Sequence, residues 1–301
     1  MQTVSLINGG QTSRLLGVFA KDIKLSHSIF ALPFVGVALT LTGVAGVSIT
    51  RLAQIVICMI FARSFAMGMN RYLDRDFDAA NERTVTRALP AGLVSARAYL
   101  SVTLAFGALF VAVAFSLSEL AGLLSPLLLA VLAFYSVMKR VSWLTHWYLG
   151  FCLGLAPLAA EIALFNRVSA SVALVGVAVA FWTAGFDLLY SLQDKSFDKL
   201  NGLHSVPAKL GHRAAIWLSR ASFVTMVGCL VTAGGVATTG IWWDLGVVAV
   251  GLILFYEHWL IRGAMITGTS RRINVAFFNL NALVSVIFLA FSLVDAYVQN
   301  T

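Results

Sequence analysis

Three oxygen-bearing side chains, Asn70, Asp74 and Asp78, recur at four-residue intervals. At 3.6 residues per turn this spacing places them on one helical face. Asp187, Asp194 and Asp198 stand at i, i+7 and i+11, again one face. Carboxylate and amide oxygens are hard donors suited to magnesium, which takes one or two carboxylates and completes its shell with substrate phosphates. Two such acidic faces at one depth repel each other, so something cationic is expected between them. Arg71, Arg75, Lys139, Arg140, Lys195 and Lys199 lie beside the motifs. They are the residue types that hold a diphosphate, and each also has the plainer role of anchoring a membrane-span end. Shifting the first motif by 120 residues lays Asp74 on Asp194, Phe77 on Phe197, Asp78 on Asp198 and Asn81 on Asn201. The shared pattern D-x-x-F-D-x-x-N suggests halves of about 25–140 and 141–261, followed by a final span at 274–297, within one domain covering 1–301. No D-x-[DN]-x-[DN]-G calcium loop is present.

The elements that carry these motifs are membrane spans. The chain has 301 residues, 59% hydrophobic and 11% charged, with mean hydropathy +0.88. Soluble domains carry about 25% charged residues. Nine apolar runs approach or exceed the roughly 20 residues a spanning helix needs: 28–48, 52–69, 98–116, 120–138, 142–165, 168–190, 214–235, 241–261 and 274–297. They are continuously apolar, not alternating, which excludes a barrel and predicts an all-α polytopic bundle. Of the 21 Lys and Arg, all but Arg51, Arg63, Arg167 and Arg220 fall on one side of the predicted topology. This positive-inside bias puts the N-terminus and both motif loops in the cytoplasm. The net charge of +8 is thereby a topology signal, and nucleic acid is not an expected partner. Residues 13–24 read as an interfacial amphipathic helix or a frayed tail, and not as a signal peptide. Cys58, Cys152 and Cys229 sit in apolar runs as small core residues.

Other polar residues carry more than one reading. Asp187 is an intramembrane carboxylate, a functional candidate by default. It suits the metal shell, acceptor orientation, cation stabilisation, or a structural pair with a buried Arg. Arg63, seven residues before Asn70 on the same face, suits an acceptor carboxylate or a pairing with Asp187 or another carboxylate. Tyr135 and Tyr190 end their spans at the level of the motifs and are candidate substrate contacts, although tyrosine is enriched at interfaces anyway. His27, His146, His204, His212 and His258 form no zinc pattern. Glu161 and Glu257 belong to no motif. An ion-coupled transporter is the alternative from another class, because internal repeats and buried carboxylates occur there too. Transporter sites, however, lie near the midplane, whereas these aspartates cluster at span ends.

N-x-x-x-D-x-x-x-D at Asn70–Asp78 together with D-x-x-x-D at Asp194–Asp198 resembles the signature of the UbiA superfamily of intramembrane prenyltransferases. The flanking text KLSHSIFALPF at 24–34, YSVMKR at 135–140 and GFDLLYSLQDKSFDKLNGLHSVPAKLG at 185–211 is similar to bacterial quinone-pathway members. The resemblance implies transfer of a polyprenyl group from its diphosphate to a small aromatic acid, in a cavity open to the bilayer of the inner membrane. It implies an acceptor similar to 4-hydroxybenzoate, or to the dihydroxynaphthoates of menaquinone pathways. It implies that Asn70, Asp74, Asp78, Asp194 and Asp198 hold two magnesium ions and the diphosphate, and that Lys139 and Arg140 assist the diphosphate.

Overall fold

The computed structural model describes residues 9–23, 32–43, 46–267 and 279–301, and among these there is no strand. The helices are α1 (Gly9–Asp22), α2 (Leu32–Thr42), α3 (Ile49–Leu73), α4 (Arg75–Ala79), α5 (Ala96–Leu117), α6 (Glu119–Val141), α7 (Thr145–Phe165), α8 (Ala170–Tyr190), α9 (Lys195–Leu200), α10 (Val206–Lys209), α11 (His212–Ala237), α12 (Ile241–Thr267) and α13 (Asn281–Asn300). Eight of them are long and apolar enough to cross a membrane. The protein is a polytopic helical membrane protein. The predicted first span appears as α2, of 11 residues; residues 24–31, which hold His27, lie outside the described residues.

Serines start many of these helices. Ser48, Ser95, Ser118, Ser169 and Ser205 each accept a hydrogen bond from the backbone amide three residues on. Each thereby satisfies an amide that the first turn leaves without a partner. Asn166 and Thr238 end α7 and α11 in the left-handed conformation, at φ 53° and 55°.

Between apolar helices in lipid, close approach of small residues replaces the hydrophobic drive. Gly150 and Gly154 on α7, with Gly176 on α8, supply that approach. A Cβ at Gly150 would collide with the Ala180 carbonyl, and one at Gly154 with the Gly176 carbonyl. One buried cluster joins α2, α8, α11, α12 and α13 around Trp182 and Trp243. A second joins α2, α3, α5 and α7 around Ile55, Phe110 and Ala160. Large apolar side chains on the outer faces, such as Leu127, Val224 and Phe255, are exposed, as lipid contact requires.

The segment read as an interfacial helix or frayed tail is the ordered helix α1, and it packs into the bundle. Phe19 stacks 5.5 Å from Phe106. Asp22 accepts hydrogen bonds from the Tyr99 hydroxyl at 2.7 Å and the Ala88 amide at 2.9 Å. α1 thereby ties the first motif loop to α5.

Candidate active site

The two motifs share a local shape. α3 stops at Leu73, Asp74 takes φ −93° and ψ 5°, and the short α4 follows. In the second half a 3-10 turn, Ser191–Asp194, follows α8; Asp194 takes φ −96° and ψ 2°, and α9 follows. Both aspartates occupy the sparsely populated bridge region, where active-site residues recur. The helix is therefore broken at Asp74 in the first motif and at Asp194 in the second, in place of the single continuous face that the spacing predicts. The i→i−4 ladder nonetheless runs through the first break: the Asp74 amide bonds Asn70 O at 2.9 Å, and the Asp78 amide bonds Asp74 O at 2.8 Å. The bend thus keeps the four-residue spacing of the motif.

Every motif carboxylate faces a cation. Arg140 Nη2 donates to Asp74 Oδ1 at 2.8 Å and to the Leu73 carbonyl at 2.7 Å. Its guanidinium lies 4.9 Å from the Phe77 ring centre. Arg87 bonds both oxygens of Asp78 at 2.6 and 2.7 Å. Arg83 grips Asp194 through Nε at 3.2 Å and Nη2 at 2.8 Å, and also reaches the Tyr190 hydroxyl at 3.2 Å. Lys139 Nζ stands 2.7 Å from Asp198 Oδ1. The Asn70 amide donates to Asp74 at 2.7 Å and accepts from Arg71 at 2.8 Å. Arg83 belongs to the first loop and Asp194 to the second, so their pairing locks the two motifs together. Burial pushes the Asp74 carboxyl above the usual carboxylate range, against the hydrogen bond and charge of Arg140.

These groups close one end of a cavity of about 580 Å³. It runs between α3, α6 and α7, reaching Ile55, Leu117 and Ala160 at the far end. Along α3, Asp74 to Ile55 is 19 residues, about 28 Å of helix. Polar groups crowd one end, and the remainder is lined mainly by Leu, Ile, Ala and Met. A site of this shape suits a molecule with an anionic head and a long apolar tail.

Residues 31–292 match the model of the UbiA prenyltransferase family. The chain belongs to that family. A 4-hydroxybenzoate octaprenyltransferase of Aliivibrio fischeri strain MJ11 is 30% identical over 243 residues, covering 79% of this chain and 81% of the relative. One from Marinobacter nauticus is 33% identical over 232 residues, covering 75% and 76%. Among solved structures, the apo UbiA homologue of Aeropyrum pernix K1 matches with TM-score 0.79 at 30% identity, over 90% of this chain and 98% of that one. A UbiA homologue from Archaeoglobus fulgidus, solved with DMAPP and Mg2+, has TM-score 0.72 at 18% identity, over 93% and 99% of the two chains. The protein is a prenyltransferase, and the transporter alternative falls.

Within this prenyltransferase, Asn70, Asp74, Asp78 and Asp194 all line the cavity, as do Arg63, Arg71, Tyr135, Lys139, Arg140, Asp187 and Tyr190. Asp198 is fully buried and stands outside the lining, behind Lys139. Lys195 is not among the lining residues and lies within electrostatic reach of His212. Arg63 does not pair with Asp187. Its Nε is buried with no hydrogen-bond partner among the described residues, and Asp187 is held instead by His146 at 2.7 Å. Spacing missed Arg83, Arg87 and His146. The two arginines read as positive-inside charge, and the histidine has no sequence neighbour to mark it.

Proposed function

We propose that this prenyltransferase moves a polyprenyl group from polyprenyl diphosphate to a 4-hydroxybenzoate-like aromatic acid, with magnesium, in ubiquinone or menaquinone biosynthesis. The observation that carries this reading is the array of four carboxylates, each neutralised by its own Arg or Lys, at the polar end of a long apolar cavity, with three in its lining and Asp198 behind Lys139. The names of the relatives favour 4-hydroxybenzoate as acceptor.

Among the described residues no three Asp, Glu, His or Cys side chains converge as a ready metal site. The donor set nonetheless fits magnesium. The oxygens are hard, and in buried Asp198 Oδ1 faces Lys139 at 2.7 Å while Oδ2 has no hydrogen-bond partner among the described residues. A bound diphosphate would supply the remaining oxygens, as magnesium prefers. Asn70, Asp74, Asp78, Asp194 and Asp198 would hold the metal, which when bound neutralises the diphosphate and stabilises its charge on departure. Arg83, Arg87, Lys139 and Arg140, released from their carboxylates, turn to the diphosphate oxygens. Arg63 takes the acceptor carboxylate. Tyr135 and Tyr190, with the apolar walls, flank the allylic cation and exclude the water that would quench it. The loops face the cytoplasm of the inner membrane, following the charge asymmetry, and the two halves form one membrane-embedded unit.

The test uses purified protein in nanodiscs with octaprenyl diphosphate, magnesium, and either 4-hydroxybenzoate or a dihydroxynaphthoate. Prenylated 4-hydroxybenzoate should form, and should vanish with EDTA and in Asp74→Ala and Asp194→Ala. Product from the naphthoate alone reassigns the acceptor. No product from either acceptor refutes the proposal.

A further inference from the structure

His146 on α7 and Asp187 on α8 meet at the motif end of the cavity, with His146 Nδ1 2.7 Å from Asp187 Oδ2. The other ring nitrogen, Nε2, lies 3.3 Å from the backbone nitrogen of Val206, the first residue of α10. A backbone N–H can only donate, so Nε2 must accept. The imidazole is therefore the neutral tautomer with its proton on Nδ1, aimed at the carboxylate. His146 is 1% exposed, and both of its nitrogens are satisfied.

A purely structural pair would bury the carboxylate as well. Asp187 instead lines the cavity with its side chain 22% exposed. His146 therefore fixes one oxygen, Oδ2, of a carboxylate that borders the cavity. Tyr135 and Tyr190 stand within electrostatic reach of it. The loop that anchors His146 also reaches the diphosphate end: the His204 amide donates to the Lys139 carbonyl at 2.7 Å, and Lys139 pairs with Asp198. The second motif loop thus touches both the cation that guards the diphosphate site and the imidazole that sets Asp187.

We propose that His146 is a positioning residue for the transfer step, holding Asp187 so that Oδ1 takes the proton lost by the acceptor ring. This rests on the prenyl-transfer reading above. The allylic C–O bond breaks and the diphosphate leaves with the bonding pair. A ring π pair forms the new C–C bond at the carbon next to the phenol. The C–H pair then returns to the ring as its proton passes to Asp187, and from there to water at the cavity mouth. His146 keeps its own proton throughout, because Nε2 is occupied by the Val206 amide.

The test compares turnover of 4-hydroxybenzoate with the acceptor deuterated at both ring carbons beside the hydroxyl. The parent protein, with proton loss fast, should show no primary isotope effect. His146→Leu should lower kcat about 10²-fold, the range a misplaced general base loses, and a primary isotope effect should emerge as proton loss becomes slow. Asp187→Asn should do the same, and the double variant should be no worse than either single one. His146→Asn, whose amide places a donor near the Nδ1 position, should recover most of kcat and abolish the isotope effect. KM for the prenyl diphosphate should stay at the parent value in all of them. A His146→Leu protein with parent turnover, or with reduced turnover and no isotope effect, overturns the proposal. If that variant does not fold, Asp187→Asn without an isotope effect overturns it equally. An inactive parent protein refutes the prenyl-transfer reading itself, a different outcome from any of these.

Discussion

Arg87→Ala isolates the role of the internal cations. Arg87 bonds both oxygens of Asp78 at 2.6 and 2.7 Å, and the side chains are 24% and 9% exposed. Removing one member of a buried pair costs about 3–5 kcal/mol, because it leaves an uncompensated charge. Partial exposure of Arg87 admits water, which places the cost near the lower end, about 3 kcal/mol. At about 2 °C per kcal/mol for a chain of this size, the melting temperature should fall about 6 °C. The assay is thermal unfolding in detergent, followed by size exclusion, with EDTA present. Adding Asp78→Asn should return most of the loss, since no buried charge is then left alone. Magnesium with a prenyl thiodiphosphate should raise the melting temperature of Arg87→Ala, because the bound pair supplies the missing positive charge and binds only the folded state. A single variant melting within about 1 °C of the parent, or a double variant no better than the single, refutes the idea that arginine neutralises the motif in the metal-free protein.

Two further outcomes follow from geometry. Arg63→Ala should raise the acceptor KM about 30-fold, the equivalent of about 2 kcal/mol for a charge-assisted hydrogen bond, and leave the prenyl diphosphate KM unchanged; steady-state kinetics with each substrate varied separates the two. Gly154→Val should yield little folded protein by size exclusion, since any side chain there meets the Gly176 carbonyl, whereas Gly228→Ala, with nothing within 4 Å of its added Cβ, should behave as the parent.

The parts of this site that were legible in the sequence are those set by helical period and by charge along the chain. Asn70, Asp74 and Asp78 repeat every four residues, and the 120-residue echo ties them to Asp194 and Asp198. Those regularities are local, so they survive without knowledge of the fold. The bend at Asp74 was not legible, because its bridge-region backbone depends on what α6 presents: Arg140 caps the Leu73 carbonyl from 67 residues away. Arg83 and Arg87 were visible only as loop charge. Nothing about their spacing says that one crosses to Asp194, 111 residues on, while the other turns back to Asp78. Lys195 looked equal to them, yet it opens α9 outside the cavity lining. His146 was the hardest to find, since its meaning lies in Asp187, 41 residues away, and in a backbone amide 60 residues away. The Gly150-x-x-x-Gly154 spacing was present all along. That spacing packs α7 against α8, the two helices that carry His146 and Asp187. A packing motif in the chain thus sets a chemical contact that no residue pattern announces.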